Sequence, residues 1–267
     1  MKDAWKYHSA IGACIATIIA VHILRPGGEA FPVIAASIDI ASVAGATAIG
    51  LRTTRYFGFS TNQGKSMAFL TLMLFSMLMS DLVWLSSTRM LVSFQDMLYI
   101  ISYPLLFASI FYGFKTLGLE FNGLKMLAYI IIFFLAEAVL IMAFASAPGR
   151  PLLDAALIHT FGLLDAALLI PTLFIVRKSL HGFFSKPWTA ISIAIALSIA
   201  GHMIIGAAEY KTYEFGGTLD TLMYTSYILF GSGLFLMRRS SLRVVRGVRD
   251  GLHKNNIRKD GKRLYRT

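Results

Sequence analysis

Acidic and histidine side chains lie within long apolar segments of this 267-residue chain. Asp39 and Asp81 fall in two such segments near the amino terminus, and His159, Asp165 and His202 fall in later ones. A carboxylate or imidazole among apolar side chains is stable only when it is paired, neutralised by a proton or in contact with water. Groups of these types take up protons, bind cations and accept hydrogen bonds. We therefore treat all five as candidates for ligand or ion binding.

Two tyrosines extend this set of candidates. Tyr103 and Tyr227 each end a Ser-Tyr pair, and each pair follows an aspartate at the same spacing, Asp96 in one case and Asp220 in the other. A phenol hydroxyl in an apolar segment needs a hydrogen-bond partner. Because the pattern recurs, Tyr103 and Tyr227 are included among the candidate binding residues.

Metal or haem binding is an alternative that residue type alone leaves open. His159, His202 and Asp81 have the side chains that ligate a metal ion, and two histidines at similar depths can ligate a haem.

The chain contains no HExxH, GxSxG or glycine-rich phosphate loop, so no catalytic residue is proposed. A single cysteine, Cys14, excludes a disulfide framework. We expect no cofactor and no enzymatic activity.

The elements that must position these residues are long apolar helices. Hydrophobic residues make up 56% of the chain and charged residues only 15%, whereas soluble domains carry about 25% charged residues. A helix needs roughly 20 mostly apolar residues to cross a bilayer. The fold class predicted is all-α, a polytopic membrane helix bundle with eight transmembrane helices. They are expected at about 8–25, 31–51, 66–88, 97–114, 124–147, 152–176, 188–208 and 219–237.

The distribution of basic residues predicts how these helices are oriented. Of the 25 Lys and Arg residues, 21 fall at the amino terminus, in the even-numbered loops or in the tail. Basic residues stay on the cytoplasmic side, so both termini are expected in the cytoplasm of a multi-pass cell-membrane protein. Trp5 and Trp188 fall at inner helix ends, where aromatic belts form.

Residues 238–267 form a basic cytoplasmic tail that follows the membrane domain at 1–237. Leu242, Val245, Val248 and Leu252 recur there at helical spacing, with arginines between them. This pattern predicts a basic helix lying on the membrane surface, so the expected partner is the anionic inner leaflet of the bilayer. The tail has one aromatic residue, Tyr265, and no nucleic-acid-binding fold, so nucleic acid is not an expected partner.

The membrane domain also contains an internal repeat, with halves at about 1–120 and 121–237. Lys65 aligns with Lys186, Asp81 with His202, and Asp96 with Asp220. Asp39 falls near either His159 or Asp165 in the looser alignment of the first two helices of each half. A tandem unit of four helices keeps its orientation, so the halves are expected to be parallel repeats about an axis along the membrane normal.

The segment from Gly64 to Lys115 resembles a known family pattern. Its motifs are Gly64-Lys65, Asp81-Leu82-Val83-Trp84, Asp96-Met97-Leu98-Tyr99 and Tyr103-Pro104-Leu105-Leu106. They are similar to the multi-spanning sensory regions ahead of diguanylate cyclase and histidine kinase domains, and the match extends to 185–237 if the repeat is included. No kinase, cyclase or receiver domain follows residue 237. The resemblance implies a sensory or ligand-binding module that signals through a separate protein.

Three functions fit these features. The first is a non-enzymatic sensory or ligand-binding membrane module with an outward-facing polar cavity, because most of the ionisable groups map to the outer half of the helices. The second is a transporter or channel for a proton, a cation or a small solute, which the repeat favours. The third is a metal- or haem-binding subunit of a membrane complex.

Overall fold

The computed structural model describes residues 2–25, 31–86, 94–119, 123–144, 152–179, 185–207 and 220–264. The backbone of these segments forms eight α-helices. They are α1 (Lys2–Leu24), α2 (Phe31–Phe57), α3 (Asn62–Ser86), α4 (Phe94–Thr116), α5 (Gly123–Phe144), α6 (Leu152–Ser179), α7 (Ser185–Ala207) and α8 (Asp220–Leu264). The all-α expectation is therefore confirmed for the described part of the chain.

Three described helices are long and apolar enough to cross a membrane, at Val33–Phe57, Asn62–Val83 and Met97–Thr116. Large apolar side chains also cover their outer surfaces: Leu72 and Phe75 on α3 are each 49% exposed, as is Ile101 on α4. A soluble protein rarely exposes contiguous apolar surface on this scale. These helices have the length and the apolar outer surface that a membrane-embedded helix bundle requires.

Six of the helices pack side by side in a closed order. α2 contacts α3, α3 contacts α4, α4 contacts α6, α6 contacts α7, α7 contacts α8, and α8 returns to α2. α1 packs on α8, and α5 packs on α6 and α7. The buried core lies inside this ring of six helices, and its members include Met73, Leu106, Leu168, Ile195 and Phe230.

Small residues and hydroxyl groups hold these helices together. On α8, Gly231 lies against Ala46 of α2, and Gly233 lies against Ile191 of α7. Thr54 and Thr71 share a 3.1 Å hydrogen bond between α2 and α3. Because lipid tails are as apolar as the side chains, helices in a membrane associate through such close packing and hydrogen bonds.

Trp188 differs from its expected position in an interfacial belt. Its side chain is fully buried, and its ring packs against Gly113 of α4, where a methyl group would lie 2.5 Å from the ring carbons. Trp188 was expected at the membrane–water interface because it lies near the start of its helix. Gly113 has no side chain, and this leaves room for the indole ring inside the bundle.

The last helix continues without a break from Asp220 to Leu264, a length of 45 residues. The boundary drawn from composition at residue 238 is therefore not a boundary in secondary structure. A basic helix lying on the membrane surface would require a turn after the last apolar residues. Charged residues such as arginine and lysine favour helices, so the helix extends through the basic segment.

We predict that Gly113→Ala lowers the stability of the detergent-solubilised protein by about 1–3 kcal/mol, the usual cost of overpacking. Gly45→Ala is the matched control, since no atom lies within 4 Å of the new methyl group there. That control should be neutral or stabilising by up to about 1 kcal/mol, because alanine favours helix more than glycine does. Equal thermal unfolding midpoints for the two variants would contradict the packing of Trp188 on Gly113.

Candidate functional site

Asp39 and Asp81 meet at the interface between α2 and α3. Their side chains are hydrogen-bonded to each other. Asp39 is 5% exposed and lies eight residues after the start of α2 at Phe31; Asp81 lies five residues before the end of α3 at Ser86. The two helices are antiparallel neighbours, so these positions are at the same end of the bundle.

A hydrogen bond between two carboxyl groups requires a proton. An ionised carboxylate only accepts hydrogen bonds, so at least one of the two must be protonated to donate. Two ionised carboxylates in this buried position would repel each other. The second oxygen of Asp81, Oδ2, is buried and has no hydrogen-bond partner among the described residues. A carboxyl pair of this kind has the geometry to share one proton between two helices.

Two tyrosines of α8 lie on the helix face that packs on α2. Ala46 of α2 contacts Gly231 of α8. Asp39 lies seven residues before Ala46, and Tyr227 and Tyr224 lie four and seven residues before Gly231. These spacings keep each residue on the face of its helix that forms the contact, so both tyrosines share the α2–α8 interface with Asp39. Their side chains are 3% and 2% exposed.

His22 of α1 occupies the end of the same interface. Its ring lies 5.2 Å from the ring of Tyr224 and 5.6 Å from that of Phe31. Its Nδ1 atom is 2.8 Å from the carbonyl oxygen of Ile18, so Nδ1 carries a proton and donates it to that oxygen. Nε2 is buried and has no partner in the described part of the chain.

A second buried pair joins α4 to α6. The hydroxyl of Tyr103 donates to Oδ1 of Asp165 across 3.0 Å, and the two residues are 4% and 2% exposed. Asp165 lies at the centre of α6, whose bounds are Leu152 and Ser179.

A small cavity borders the Tyr103–Asp165 pair. Its volume is about 20 Å³, enough for roughly one water molecule. Helices α3, α4, α6, α7 and α8 all contribute to its wall. The lining residues are Met73, Met77, Ser102, Tyr103, Leu106, Asp165, Leu168, Ile195, Ser198, Ile199 and Phe230.

The structure thus brings the predicted residues together in two groups, Asp39 with Asp81 and Tyr103 with Asp165. Tyr227 lies on the same face of α8 as Gly231, which lies against α2. The side chains of His159 and His202 lie outside the described residues, so the metal and haem ligand sets built on them stay predictions. Within the described residues, no three His, Cys, Asp or Glu side chains are grouped to hold a metal ion.

Several residues of these sites were not among the candidates. His22 was not among them, nor were Ser102 and Ser198 of the cavity wall or Ser226, whose hydroxyl accepts a 3.0 Å hydrogen bond from that of Ser198. The repeated Ser-Tyr pairs were the one signal for Ser102 and Ser226. Nothing in the sequence indicated Ser198, because serine in an apolar helix commonly bonds its own backbone.

Comparison with protein-family models, with curated proteins and with solved structures finds no match to the chain.

We predict that Tyr103→Phe destabilises the protein by about 1–3 kcal/mol, because it leaves the buried carboxyl of Asp165 without its described donor. The matched control is Tyr112→Phe in the same helix, whose ring packs near the ammonium group of Lys65. That contact needs only the ring, so the control should change stability by less than about 0.5 kcal/mol. Chemical unfolding in detergent measures both, and equal effects would contradict the buried Tyr103–Asp165 hydrogen bond.

Proposed function

We propose that the chain is a non-enzymatic sensory membrane module that binds a proton at Asp39 and Asp81 and passes its state to a separate signalling protein. The hydrogen bond between these two carboxyl groups is the observation that carries the proposal. Carboxyl groups in hydrogen-bond contact take up and release protons, so a proton suits this pair.

The proton acts as a switch on helix packing. With one proton present, the carboxyl pair joins α2 to α3 by a hydrogen bond. When the proton leaves, two negative charges stand side by side in a medium of low dielectric constant, where their repulsion is much stronger than in water. The interface between α2 and α3 then has two discrete arrangements, which is what a sensory switch needs.

Helix α8 offers the route from this switch to the cytoplasm. It contacts α2, it carries Tyr224 and Tyr227 on the same face as Gly231, which lies against Ala46 of α2, and it continues unbroken to Leu264. A change in how α2 packs is therefore passed to a helix that extends well beyond the apolar segments. The resemblance of residues 64–115 to sensory regions of kinases and cyclases supports a partner of this kind.

The proposal includes eight spans with both termini in the cytoplasm and the first basic residues of α8 after Met237 at the level of the anionic inner leaflet. Helix lengths support it, since the shortest helix has 22 residues, or about 33 Å at the α-helical rise. The internal repeat is supported by the contacts. α2, α3 and α4 contact one another in the order that α6, α7 and α8 do, and the α2–α8 contact corresponds to the α4–α6 contact.

Transport of the same ion is a second candidate function, which this two-fold correspondence favours. Met77 and Ser198 lie twelve residues after the aligned lysines, and both line the same cavity. A cavity lined by equivalent residues lies between the two halves, where transporters place their sites. Proton flux into proteoliposomes that is lost in Asp81→Asn would support transport, and its absence in the unmodified protein would reject this candidate.

We predict that Asp39→Asn and Asp81→Asn each abolish a pH-dependent change at α8. Asparagine imitates a protonated carboxyl and cannot become charged, so either variant should hold the protonated arrangement. A fluorophore on a cysteine at Val245, which is 59% exposed, reports the change in a Cys14→Ala background.

The double variant should add nothing to either single one, because the two residues form one unit. Asp165→Asn is the control, since it removes a buried carboxyl from a different pair and should keep the response. A response that survives in Asp39→Asn and Asp81→Asn would overturn the proposed proton switch.

We predict the membrane orientation from the same basic-residue pattern. In the Cys14→Ala background, cysteines at Ser60 or Ser185 should resist an impermeant thiol reagent applied to intact cells. Cysteines at Gly149 or Gly216, which lie outside the described residues, should react. The reverse pattern of labelling would exclude an arrangement with both termini in the cytoplasm.

A further inference from the structure

We propose that one end of the α3–α4 interface binds the headgroup phosphate of an anionic phospholipid. Lys65 of α3 and Lys115 of α4 converge there on the ring of Tyr112. The Nζ atom of Lys65 lies 5.4 Å from the centroid of that ring, and the Nζ atom of Lys115 lies 5.7 Å from it. The site shares no residue with the Asp39–Asp81 pair. Its assignment to the inner leaflet rests on the proposed topology, whereas lipid binding itself does not.

The ring of Tyr112 is held in place by contacts between the two helices. It stacks on the ring of Phe69 of α3, with 5.7 Å between the centroids and 4° between the planes. Three residues before Tyr112, the carbonyl oxygen of Ser109 accepts a 2.8 Å hydrogen bond from the hydroxyl of Ser66. The two helices are therefore fixed to each other at this level, and they present their lysines beside the same ring.

Both ammonium groups keep hydrogen-bond donors for a ligand. In the part of the chain that the structure describes, the contacts of the Lys65 and Lys115 ammonium groups are with aromatic rings. A ring face attracts a cation through its quadrupole, but an ammonium group has three N–H donors that seek lone pairs. Phosphate oxygens supply lone pairs and a negative charge, and flexible lysine side chains can reach one phosphate together.

The end of α4 does not occupy the Lys115 side chain. Lysines near a helix C-terminus often bond the last carbonyl oxygens. Here backbone groups bond them instead: the N–H of Leu119 donates to the carbonyl oxygen of Phe114 at 3.1 Å, and that of Gly118 donates to the carbonyl oxygen of Lys115 at 3.3 Å. The Lys115 ammonium group lies over the ring of Phe111, 4.6 Å from its centroid. It is therefore presented on the outer surface of the bundle.

Apolar surface next to the lysines favours a lipid over a soluble phosphate. Both helices are long and apolar enough to cross a membrane. Leu72 lies seven residues after Lys65 on α3, Phe107 lies eight residues before Lys115 on α4, and both apolar side chains are exposed. These spacings keep each pair on one face of its helix and separate its members by about 10–12 Å, less than the roughly 15 Å of one hydrocarbon leaflet. An acyl chain can follow this surface while the phosphate lies at the lysines.

The second half of the repeat supplies a matched control. In the alignment of the halves, Lys186 corresponds to Lys65, and Leu236 takes the place of Tyr112. Lys186 is exposed near the start of α7, and no ring lies over its ammonium group among the described residues. Lys186→Gln therefore removes the same charge at the equivalent position of a helix without touching the proposed site.

Binding of phospholipid to the full-length protein in mild detergent tests the site, and native mass spectrometry measures it. The unmodified protein should retain one phosphatidylglycerol molecule in preference to phosphatidylcholine. Lys65→Gln and Lys115→Gln should each weaken its binding about fivefold, the fold-change that corresponds to about 1 kcal/mol per basic residue beside an anionic lipid. Lys186→Gln should retain this molecule as the unmodified protein does. Equal binding by all three variants would overturn the proposal.

The tyrosine ring separates a built site from diffuse attraction to positive charge. Tyr112→Leu keeps both lysines and introduces the residue found at the equivalent position of the second half. It should weaken phosphatidylglycerol binding about two- to fivefold, because the cation–π contacts that position the ammonium groups are lost. Unchanged binding in Tyr112→Leu would reject the site as described. Unfolding midpoints without lipid should be equal for Lys65→Gln, Lys115→Gln and Lys186→Gln, so that lost binding is not lost fold.

Two further measurements test the source of the phosphate and the charge of the site. Glycerol 3-phosphate has the phosphate without acyl chains and should displace little of the bound lipid; displacement at equal concentration would show a soluble-phosphate site instead. Glu120, the next acidic residue along the chain, lies outside the described residues. Glu120→Gln should leave binding unchanged, and a gain of more than about fivefold would show that Glu120 already neutralises the lysines. Because lipid binding in detergent is independent of membrane orientation, its failure is distinguishable from failure of the proposed topology.

Discussion

Polar groups inside an apolar helix bundle must find their partners on neighbouring helices, and this constraint governs the order in which the helices pack. The Asp39–Asp81 bond joins α2 to α3, and the Ser76 hydroxyl joins α3 to the Leu98 carbonyl of α4. The ring continues through Tyr103 and Asp165 between α4 and α6, and it returns to α2 through the Thr53 bond to the Leu234 carbonyl of α8. Leaving one of these buried groups without a partner costs at least as much free energy as a hydrogen bond contributes. Exchanging the positions of two neighbouring helices would therefore destabilise the bundle.

Hydropathy predicted the helices well and their ends poorly. The second apolar segment was placed at 31–51, whereas α2 runs to Phe57 through Arg52, Thr53 and Arg55. The discrepancy is largest in α8, which runs far past residue 237. Hydropathy measures which residues prefer lipid, but a helix is held by its own backbone hydrogen bonds, and charged residues continue it readily. The positions of helix ends outside the membrane are therefore not contained in the apolar pattern.

Individual site residues could be found from sequence, whereas most of their partners could not. A lone carboxyl in an apolar helix stands out, and Asp39 and Asp81 lie at the same end of consecutive antiparallel helices, so topology places them at a similar depth. Their contact also requires both to face the α2–α3 interface, which topology does not determine. The Tyr103–Asp165 bond depends on α4 lying beside α6, a long-range contact that no local pattern encodes. Ser198 acquires its significance only from Ser226 and the cavity, because serine is common in helices and carries no charge to mark it.

Glycine on two sides of α8 has a mechanical consequence. Gly231 and Gly233 bring α8 into close contact with α2 on one side and α7 on the other, so the helix is held tightest at this point. About 16 Å of helix lies on the Asp220 side of Gly231, and about 46 Å lies on the Leu264 side of Gly233, at the α-helical rise. A lever with arms of these lengths multiplies displacement by nearly three. A movement of roughly 1 Å at the Asp220 end would move the far end of a rigid α8 by about 3 Å, a distance comparable to the length of a hydrogen bond.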